Sequence, residues 1–196
     1  MLYEQFAKPA GLVGKAVGWF MNKENEELNQ WTVSFLGVEE GDSVLEVGFG
    51  AGQTLCTIAN RQEGKVFGVD PSEVMVDTSI KRLQKRNSDC DICMIQGEAS
   101  VLEGFREPLD KVYAINNVTY WDQPVATLTH LRSLLRKGGK IALTIRPHED
   151  GAGDQTTEVL GDQLRALLAN AGFKQIEVFI KSAHPNNAVC AVATNQ

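Results

Sequence analysis

No stretch of this 196-residue sequence stays apolar for the roughly 20 residues that a helix needs to cross a bilayer, so no membrane span is expected. The opening segment MLYEQFAKPAGLVGKAVGWF also lacks the charged n-region, the continuous apolar core and the small-residue cleavage site of a secretory signal. With 43% hydrophobic and 22% charged residues, the composition is that of a soluble globular protein. We therefore expect a cytoplasmic location.

Positive charge is also scarce. Lysine and arginine total 19 against 25 aspartate and glutamate residues, and the formal net charge of -6 argues against a general attraction to polyanions. The dense basic group KRLQKR, at residues 81–86, has helical spacing and is typical of a solvated helix face. No nucleic-acid partner is expected.

Cysteine is too sparse to suggest a metal or redox motif. Cys90 and Cys93 form one C-x-x-C, but no second pair or nearby histidine completes a zinc set, and Cys93 lies in an apolar run typical of a strand. We expect Cys56, Cys90, Cys93 and Cys190 to be free, mostly buried thiols, and we expect no metal site.

What the sequence does contain is a series of glycines directly after an apolar run. Residues 44–47 are typical of a short buried strand, and Gly48, Gly50 and Gly52 follow at alternate positions. Glycine lets the backbone take positive φ and lets a ligand approach the main chain without meeting a Cβ. The pattern predicts a strand-to-helix turn on which a ligand binds.

Two acidic residues accompany this turn. Glu46 lies two positions before the first glycine, inside the buried strand, where a carboxylate is costly without a partner. Asp70 ends the second apolar run, KVFGVD, at the roughly 20-residue separation at which an acid reaches a ribose diol. The glycines and the acids therefore predict one crevice for a nucleoside-containing ligand.

The stretches EVGFGAG and GVDPS resemble motif I and the following acidic strand end of the class I S-adenosylmethionine-dependent methyltransferases. The spacing is G-x-G-x-G, whereas the dinucleotide fingerprint G-x-G-x-x-G has its third glycine one place later, where this chain has Gln53. The resemblance implies S-adenosylmethionine as cofactor and S-adenosylhomocysteine as product. A nicotinamide-dependent oxidoreductase that uses a similar turn remains an alternative.

The fold class follows from the order of the patterns. Apolar runs alternate with helical patterns, which predicts a doubly wound α/β sheet. The last two runs, FKQIEVFI and NAVCAVAT, are joined by a turn too short for a parallel crossover, so they predict an antiparallel hairpin. The whole matches the Rossmann-like methyltransferase fold, a seven-stranded, mostly parallel sheet with a C-terminal antiparallel hairpin. The first predicted elements are strand 43–47, helix 53–60, strand 65–69, helix 72–86 and strand 92–95.

In the second half, the strands KVYAINN and KIALTIR flank a predicted helix. Asp122 is the expected N-cap, Leu128, Leu131 and Leu135 are expected to face inward, and residues 137–139, Lys-Gly-Gly, are expected to end the helix.

Residues 1–40 are predicted to form an N-terminal helical segment on the lid or acceptor side, within the same domain as the cofactor-binding part at residues 41–196. Within this segment, residues 11–21 show an amphipathic helical pattern weakened by glycines. They are interpreted as a helix packed on the core, as a mobile lid or as a membrane-surface helix, the last disfavoured by its few positive charges.

The resemblance also implies roles for individual residues. Gly48, Gly50 and Gly52 would approach the methionine part of the cofactor, Glu46 would favour its ammonium group directly or through water, and Asp70 would accept both ribose hydroxyls.

Three further positions follow from the same resemblance. Met75 would pack on the adenine face or belong to the core, and Glu98 would accept from the adenine amino group or be a solvated loop acid. Asn116 would meet the sulfonium side or cap the end of its strand.

Methyl transfer is a displacement at an already activated carbon, so positioning and exclusion of water are expected to supply most of the acceleration. If the acceptor arrives protonated, the candidate bases are Tyr120 and His148, each of which is otherwise an acceptor-pocket or surface residue.

The expected acceptor pocket combines residues 1–40 with the loops that start at Asn116 and Arg146, which suits a small molecule. The chain loosely resembles small methyltransferases of ubiquinone and menaquinone biosynthesis. The alternatives are a methyltransferase of RNA or protein and a regulatory protein that binds the cofactor without turnover. A monomer or a homodimer is expected.

Overall fold

The computed structural model describes residues 26–59, 64–84, 92–147, 152–183 and 186–196, in which helices and strands alternate. None of the helices in these ranges is long and apolar enough to cross a membrane. The predicted amphipathic pattern at 11–21 lies outside the described residues. In chain order, the elements are α1 (26–36), β1 (Val44–Val47), α2 (Gln53–Ala59), β2 (Val66–Asp70), α3 (Glu73–Gln84), β3 (Ile92–Gln96), β4 (Leu109–Ile115), α4 (Pro124–Leu134), β5 (Leu135–Ile145), α5 (Asp154–Asn170), β6 (Lys174–Lys181) and β7 (Ala188–Thr194).

The strands form one seven-stranded sheet in the order β3-β2-β1-β4-β5-β7-β6. Neighbouring strands run parallel from β3 to β5, whereas β7 is antiparallel to both β5 and β6. The predicted fold class and the C-terminal hairpin are confirmed. Because β1 and β4 lie side by side although β2 and β3 intervene in the chain, the strand order reverses there, and this is where open α/β sheets bind ligands.

The two faces of the sheet bury separate apolar clusters, because successive side chains of a strand point to opposite faces. Leu45 packs in the cluster that contains Leu128 and Leu164, from α4 and α5. Val44 packs in the other cluster with Leu36 and with the α2 residues Leu55 and Ile58. Glu46 has the same parity as Val44, so it points to the face covered by α1 and α2.

Helix α1 belongs to this same packed unit. The ring of Phe35 stacks on that of Phe179 in β6 at a centroid distance of 4.4 Å. The hydroxyl of Thr32, which is fully buried, forms a 2.7 Å hydrogen bond with the hydroxyl of Thr144 in β5. Nearer the glycine turn, Nδ2 of Asn29 donates to Oγ1 of Thr54 at 2.6 Å. These contacts place α1 across the face of the sheet toward which Glu46 points.

The predicted boundaries of the helix after β4 are wrong at both ends. Gln123, not Asp122, is the N-cap residue, and Pro124 opens the helix, since proline needs no hydrogen-bond acceptor in the first turn. Leu135 is the first residue of β5 and pairs with Leu109, so residues 137–139 lie within the strand. Strand pairing overrides a local pattern that, read alone, continued the helix.

The thiol prediction holds in part. Among the described residues, Cys56, Cys93 and Cys190 form no disulfide; Cys56 and Cys190 are buried, whereas Cys93 is exposed. β3 is the edge strand of the sheet, which leaves Cys93 exposed beside its pairing partner Phe67 in β2. Cys90 lies outside the described residues.

Candidate cofactor-binding site

The glycine turn joins β1 to α2 at the carboxyl edge of the sheet. Gly48, Gly50 and Gly52 have φ values of 72°, 53° and 72°, in the left-handed region that favours glycine. The backbone N–H of Gly48 donates to the carbonyl of Val69 at 2.7 Å, which ties the turn to β2. The expectation that these three positions require the conformational freedom of glycine is confirmed.

The three glycines differ in what surrounds them. A Cβ on Gly48 would meet the amide group of Asn117, and a Cβ on Gly52 would meet the side chain of Ser79, so both positions are closely packed against the protein itself. A Cβ on Gly50 would find nothing within 4 Å. Gly50 is therefore the position of the turn at which the backbone is open to a ligand.

Asp70 ends β2 beside this open position. Its Oδ2 accepts the backbone N–H of Gly50 at 2.8 Å, and its Oδ1 accepts the backbone N–H of Ser72 at 2.9 Å. Burial raises the pKa of the carboxyl group, the two hydrogen bonds oppose this shift, and the charge of Glu98 adds to it. Asp70 thus connects the glycine turn to the start of α3.

Glu98 and Met75 are the two residues expected to serve the adenine. Glu98 follows Gly97 after β3, is exposed, and acts electrostatically on Asp70. Met75, in the first turn of α3, is 3% exposed, and its backbone N–H is bonded to Ser72. Ser72 therefore caps the helix, as predicted.

Glu46 is buried between β1, β4 and the start of α2. Its Oε2 accepts the hydroxyl of Tyr113, its direct neighbour in β4, at 2.8 Å. Burial raises the pKa of Glu46 to about 8, and the hydrogen bond from Tyr113 opposes this shift. The nearby Asp70 raises the pKa further, whereas hydrogen bonds from the Leu55 backbone and the Thr54 side chain lower it. The carboxyl group therefore binds the first turn of α2, a partner that the sequence did not identify.

The carboxyl end of β4 carries the candidate residues of the acceptor side. Asn116 has a φ of 55°, uncommon for a residue with a Cβ, and its Oδ1 accepts the backbone N–H of Arg146 at 2.7 Å. This bond links β4 to the end of β5. Tyr120 follows in a short 3-10 turn, where its backbone N–H donates to the carbonyl of Asn117 at 2.9 Å. His148 lies outside the described residues.

Asn117 is a residue that the sequence reasoning missed. Its Nδ2 donates to the carbonyl of Val47 and, at 3.3 Å, to that of Ile115, so it ties the ends of β1 and β4 together. Its Oδ1 is buried and has no hydrogen-bond partner among the described residues. The only signal in the sequence is the doubled asparagine after β4, which does not indicate which of the two faces the turn.

This edge of the sheet fits a nucleoside that carries positive charge. Among the described residues, neither Glu46 nor Asp70 is paired with a cationic side chain, and burial raises the pKa of both. A cationic ligand would lower the pKa of both carboxyl groups and would be favoured by their ionised form. The backbone at Gly50 leaves room for a ligand, and the buried Oδ1 of Asn117, which follows β4, has no hydrogen-bond partner among the described residues. S-adenosylmethionine, with its sulfonium, ammonium and ribose hydroxyl groups, has the matching chemistry.

Comparison with known proteins leads to the same group. Residues 44–139 match a family described as a methyltransferase domain. The uncharacterized methyltransferase YdaC of Bacillus subtilis is 36% identical over 180 residues, which cover 90% of this chain and 96% of YdaC. Erythromycin 3''-O-methyltransferase of Saccharopolyspora erythraea is 26% identical over 124 residues, 63% of this chain and 40% of that protein.

A solved structure shows the same fold. Magnesium protoporphyrin IX methyltransferase from Synechocystis PCC 6803, with bound S-adenosylmethionine, superposes with a TM-score of 0.67 at 20% identity, over 92% of this chain and 81% of that one. The ubiquinone- and menaquinone-biosynthesis subtype stays a prediction. On the near full-length similarity to YdaC, the shared sheet and the glycine turn, the chain belongs to the class I S-adenosylmethionine-dependent methyltransferases and uses S-adenosylmethionine as its cofactor.

Proposed function

We propose that this enzyme transfers the methyl group of S-adenosylmethionine to an oxygen, nitrogen or carbon atom of a small molecule. The observation that carries the cofactor half of this proposal is the open backbone of Gly50 hydrogen-bonded to Asp70. The acceptor half is supported by the similarity to erythromycin 3''-O-methyltransferase, whose name specifies a small-molecule acceptor. The net charge of -6 argues against RNA as the acceptor.

A cavity beside the start of α2 is consistent with an acceptor of this size. It has a volume of about 330 Å³ and runs along the groove between α1 and α2. It is lined by residues of α1, by residues 37–40, and by Gln53, Thr54, Thr57 and Ile58 of α2. This volume lies at the lower end of the range typical of small-molecule pockets. We therefore propose that residues 1–40 form the acceptor side and residues 41–196 the cofactor-binding part of one domain.

Asp70 is proposed to hold the ribose. A carboxylate has about four acceptor positions on its two oxygens. The backbone N–H groups of Gly50 and Ser72 use one position on each oxygen, so each oxygen retains capacity for one ribose hydroxyl. The same two backbone bonds keep the carboxylate in one orientation before the cofactor arrives.

Glu46, Gly48, Gly50 and Gly52 are proposed to serve the methionine part. Because the hydrogen bonds of Glu46 run to Tyr113 and to the start of α2, we propose that it favours the ammonium group through water or across a short distance. A nearby cation lowers the pKa of a carboxyl group, so binding of the ammonium group would favour the ionised form of Glu46. Gly50 supplies the open approach, and Gly48 and Gly52 supply the backbone shape.

Met75 and Glu98 are proposed to serve the adenine. Met75 is buried in the first turn of α3, which begins beside Asp70, and its apolar side chain suits the face of a base. Glu98 is exposed at the rim and acts on the charge of Asp70, so it lies close enough to the same crevice to accept from an exocyclic amino group.

S-adenosylmethionine supplies a methyl group on a positively charged sulfur, so no nucleophile on the protein is required. The protein has to orient the acceptor and to exclude water. Asn116 and Tyr120, which follow β4, are proposed to line this part of the site, with Tyr120 or His148 as the base for an acceptor that arrives protonated. The cytoplasmic location and the monomeric or homodimeric state stay predictions.

The proposal is tested in two steps. Calorimetric titration should show binding of S-adenosylhomocysteine and none of NADH, and the reverse result would contradict the cofactor assignment. The purified enzyme, a cell lysate and radiolabelled S-adenosylmethionine should then give label in the small-molecule fraction, with Asp70→Ala as a control defective in cofactor binding. Label that enters RNA or protein instead would overturn the small-molecule acceptor while leaving the methyltransferase intact.

A further inference from the structure

The two edges of the sheet are built differently. β6, at one edge, carries the charged residues Lys174, Glu177 and Lys181, and its pairing with β7 shifts register between Lys174 and Glu177. Lys181 is ion-paired with Glu27 of α1 at 2.9 Å. Charges and irregular pairing are common means by which an edge strand avoids pairing with another chain. The β6 edge is therefore protected.

β3, at the other edge, has none of these features. Its five residues, Ile92–Gln96, are uncharged, and they pair with β2 without a register shift. Cys93 and Gln96 are exposed, and the other three side chains are only partly buried. In the part of the chain that the structure describes, no strand pairs with the outer side of β3. A regular, uncharged edge with unpaired backbone N–H and C=O groups is suited to pairing with a further strand.

An exposed apolar residue of α3 borders this edge. α3 packs on β2 and β3, and Nη1 of Arg82 donates to Oε1 of Gln53 at 3.3 Å, so that flank of the helix faces α2. Two residues along a helix correspond to a rotation of about 200°, so Ile80 lies on the opposite flank, toward the outer side of β3. Ile80 is 37% exposed. β3 and Ile80 together form an apolar strip along the edge.

The charges of α3 divide along the helix. Glu73 and Asp77 lie in its first half and Lys81 lies in its second half, and all three are exposed. α3 leads from the carboxyl end of β2 back to the amino end of β3, so its acidic half lies beside the carboxyl end of β3 and Lys81 lies nearer the amino end. A surface with opposite charges at its two ends complements a copy of itself that is turned end to end.

Symmetry determines how two copies pair at this edge. Most homodimers have a twofold axis, which brings the same surface of both copies together. An axis along the strands would place each backbone N–H beside the same N–H of the second copy, so no hydrogen bond would form. An axis perpendicular to the sheet makes β3 antiparallel to its copy, which permits hydrogen bonds and brings the acidic half of each α3 beside the basic half of the other.

We propose that this chain forms a twofold-symmetric dimer by antiparallel pairing of β3 with β3 of a second copy, so that one sheet continues through both copies. A stable interface buries roughly 1,200 Å² or more, which is more than one short strand pair supplies. The flanks of the two α3 helices that carry Ile80 therefore belong to the same interface.

Sedimentation equilibrium of the full chain over a range of concentrations tests this dimer. The wild type should sediment as a dimer that dissociates on dilution. Cys93→Lys places a charge on an exposed side chain of β3 and should raise the dimer dissociation constant about tenfold or more, because the charge would lie unpaired in the interface. Ile180→Lys is the matched control on the β6 edge, since Ile180 is also exposed, and it should leave the constant unchanged.

Exchanging charges tests the antiparallel arrangement. Lys81→Glu should raise the dissociation constant several-fold, because the acidic half of one α3 would then meet a further acid on the other. Adding Glu73→Lys should restore dimerisation, since the two ends of the helix are again opposite in charge. An effect of Lys81→Glu that Glu73→Lys does not reverse would overturn the arrangement.

A wild type that stays monomeric at every concentration would overturn the inference, as would a dimer that Ile180→Lys disrupts and Cys93→Lys does not. A monomeric wild type that binds a different protein, and loses it in Cys93→Lys, would assign the β3 edge to that partner and overturn the dimer. If circular dichroism shows that Cys93→Lys does not fold, Gln96→Lys, at the exposed last residue of β3, replaces it. These measurements do not involve methyl transfer, so their failure leaves the proposed function intact.

Discussion

Gly50 donates its backbone N–H to Oδ2 of Asp70 at 2.8 Å, across a sequence separation of 20 residues. The bond joins the two sequence features that predicted a nucleoside site, the glycine turn and the acid at the end of β2. It fixes the carboxylate against the one glycine of the turn that faces open space. The geometry of the site is thus established by protein contacts, which reduces the ordering that a ligand would otherwise have to impose.

Replacing Asp70 should weaken cofactor binding. Asp70→Ala removes the proposed acceptors of both ribose hydroxyls and the restraint on Gly50, so the binding free energy of S-adenosylhomocysteine should fall by about 1 to 3 kcal/mol. Calorimetric titration measures this change. Asp77→Ala, on the exposed face of α3, is the control and should bind normally. A folded Asp70→Ala variant with unchanged affinity would remove Asp70 from the ribose role.

Glycine replacements should separate ligand contact from protein packing. Gly50→Ala meets no neighbour but must adopt a φ of 53°, so it should cost about 1 kcal/mol of folding free energy and, in addition, lower cofactor affinity. Gly52→Ala would collide with Ser79 and should destabilise the fold by more, about 2 to 4 kcal/mol. Urea unfolding of both variants measures the two losses of folding free energy, and calorimetry measures their cofactor affinities. A Gly50→Ala variant with normal affinity would show that no ligand approaches there.

The stability of the protein should depend on pH through Glu46. Its folded pKa of about 8 lies above its ordinary value of 4.5, so between these values the folded state retains a proton that the unfolded state has lost. The free energy of unfolding should therefore fall as pH rises through this window, by at most about 1.4 kcal/mol per pH unit.

Glu46→Gln isolates this contribution. Glutamine does not titrate, and its amide oxygen can still accept the hydroxyl of Tyr113, so the variant should gain stability relative to wild type between pH 5 and pH 8 (roughly the window of the shift). Urea unfolding of both proteins at the two pH values measures the difference. Parallel pH profiles would show that Glu46 is ionised in the folded state.

Removing the hydroxyl of Ser79 should not harm the protein. Ser79 is fully buried in α3, and its Oγ has no hydrogen-bond partner among the described residues. Ser79→Ala relieves an unsatisfied polar group and improves helix propensity, so the free energy of unfolding should rise by about 1 kcal/mol. Cofactor affinity should stay the same. A loss of affinity would instead indicate that this hydroxyl contacts the ligand.

The features predicted correctly from the sequence are those that neighbouring residues determine. The strand predicted at 43–47 and observed at 44–47, the positive φ of the glycines and the cap at Ser72 each depend on a few adjacent residues and their backbone preferences. The antiparallel hairpin of β6 and β7 followed from the length of one turn. Because these constraints are local, a single sequence contains them in full.

The errors occur where a distant strand competes with a local pattern. Leu135 continues the apolar spacing of α4, yet it pairs with Leu109 and begins β5. Cys93 lies in an apolar run, yet its strand is at the edge of the sheet, where the run is only partly covered and Cys93 is exposed. Neither the pairing of Leu135 with Leu109 nor the edge position of the strand that contains Cys93 can be deduced from the adjacent residues.

By itself, the sequence determined the family, the order of the strands and helices, and the identity of the two acids beside the glycine turn. Only the tertiary structure decided what those side chains contact: Glu46 bonds to Tyr113, and of the two asparagines after β4 it is Asn117 that lies against Gly48 with an unpartnered oxygen. The physical reason is that a hydrogen bond depends on distances of a few tenths of an ångström between atoms far apart in the chain, and packing of the sheet against its helices sets those distances.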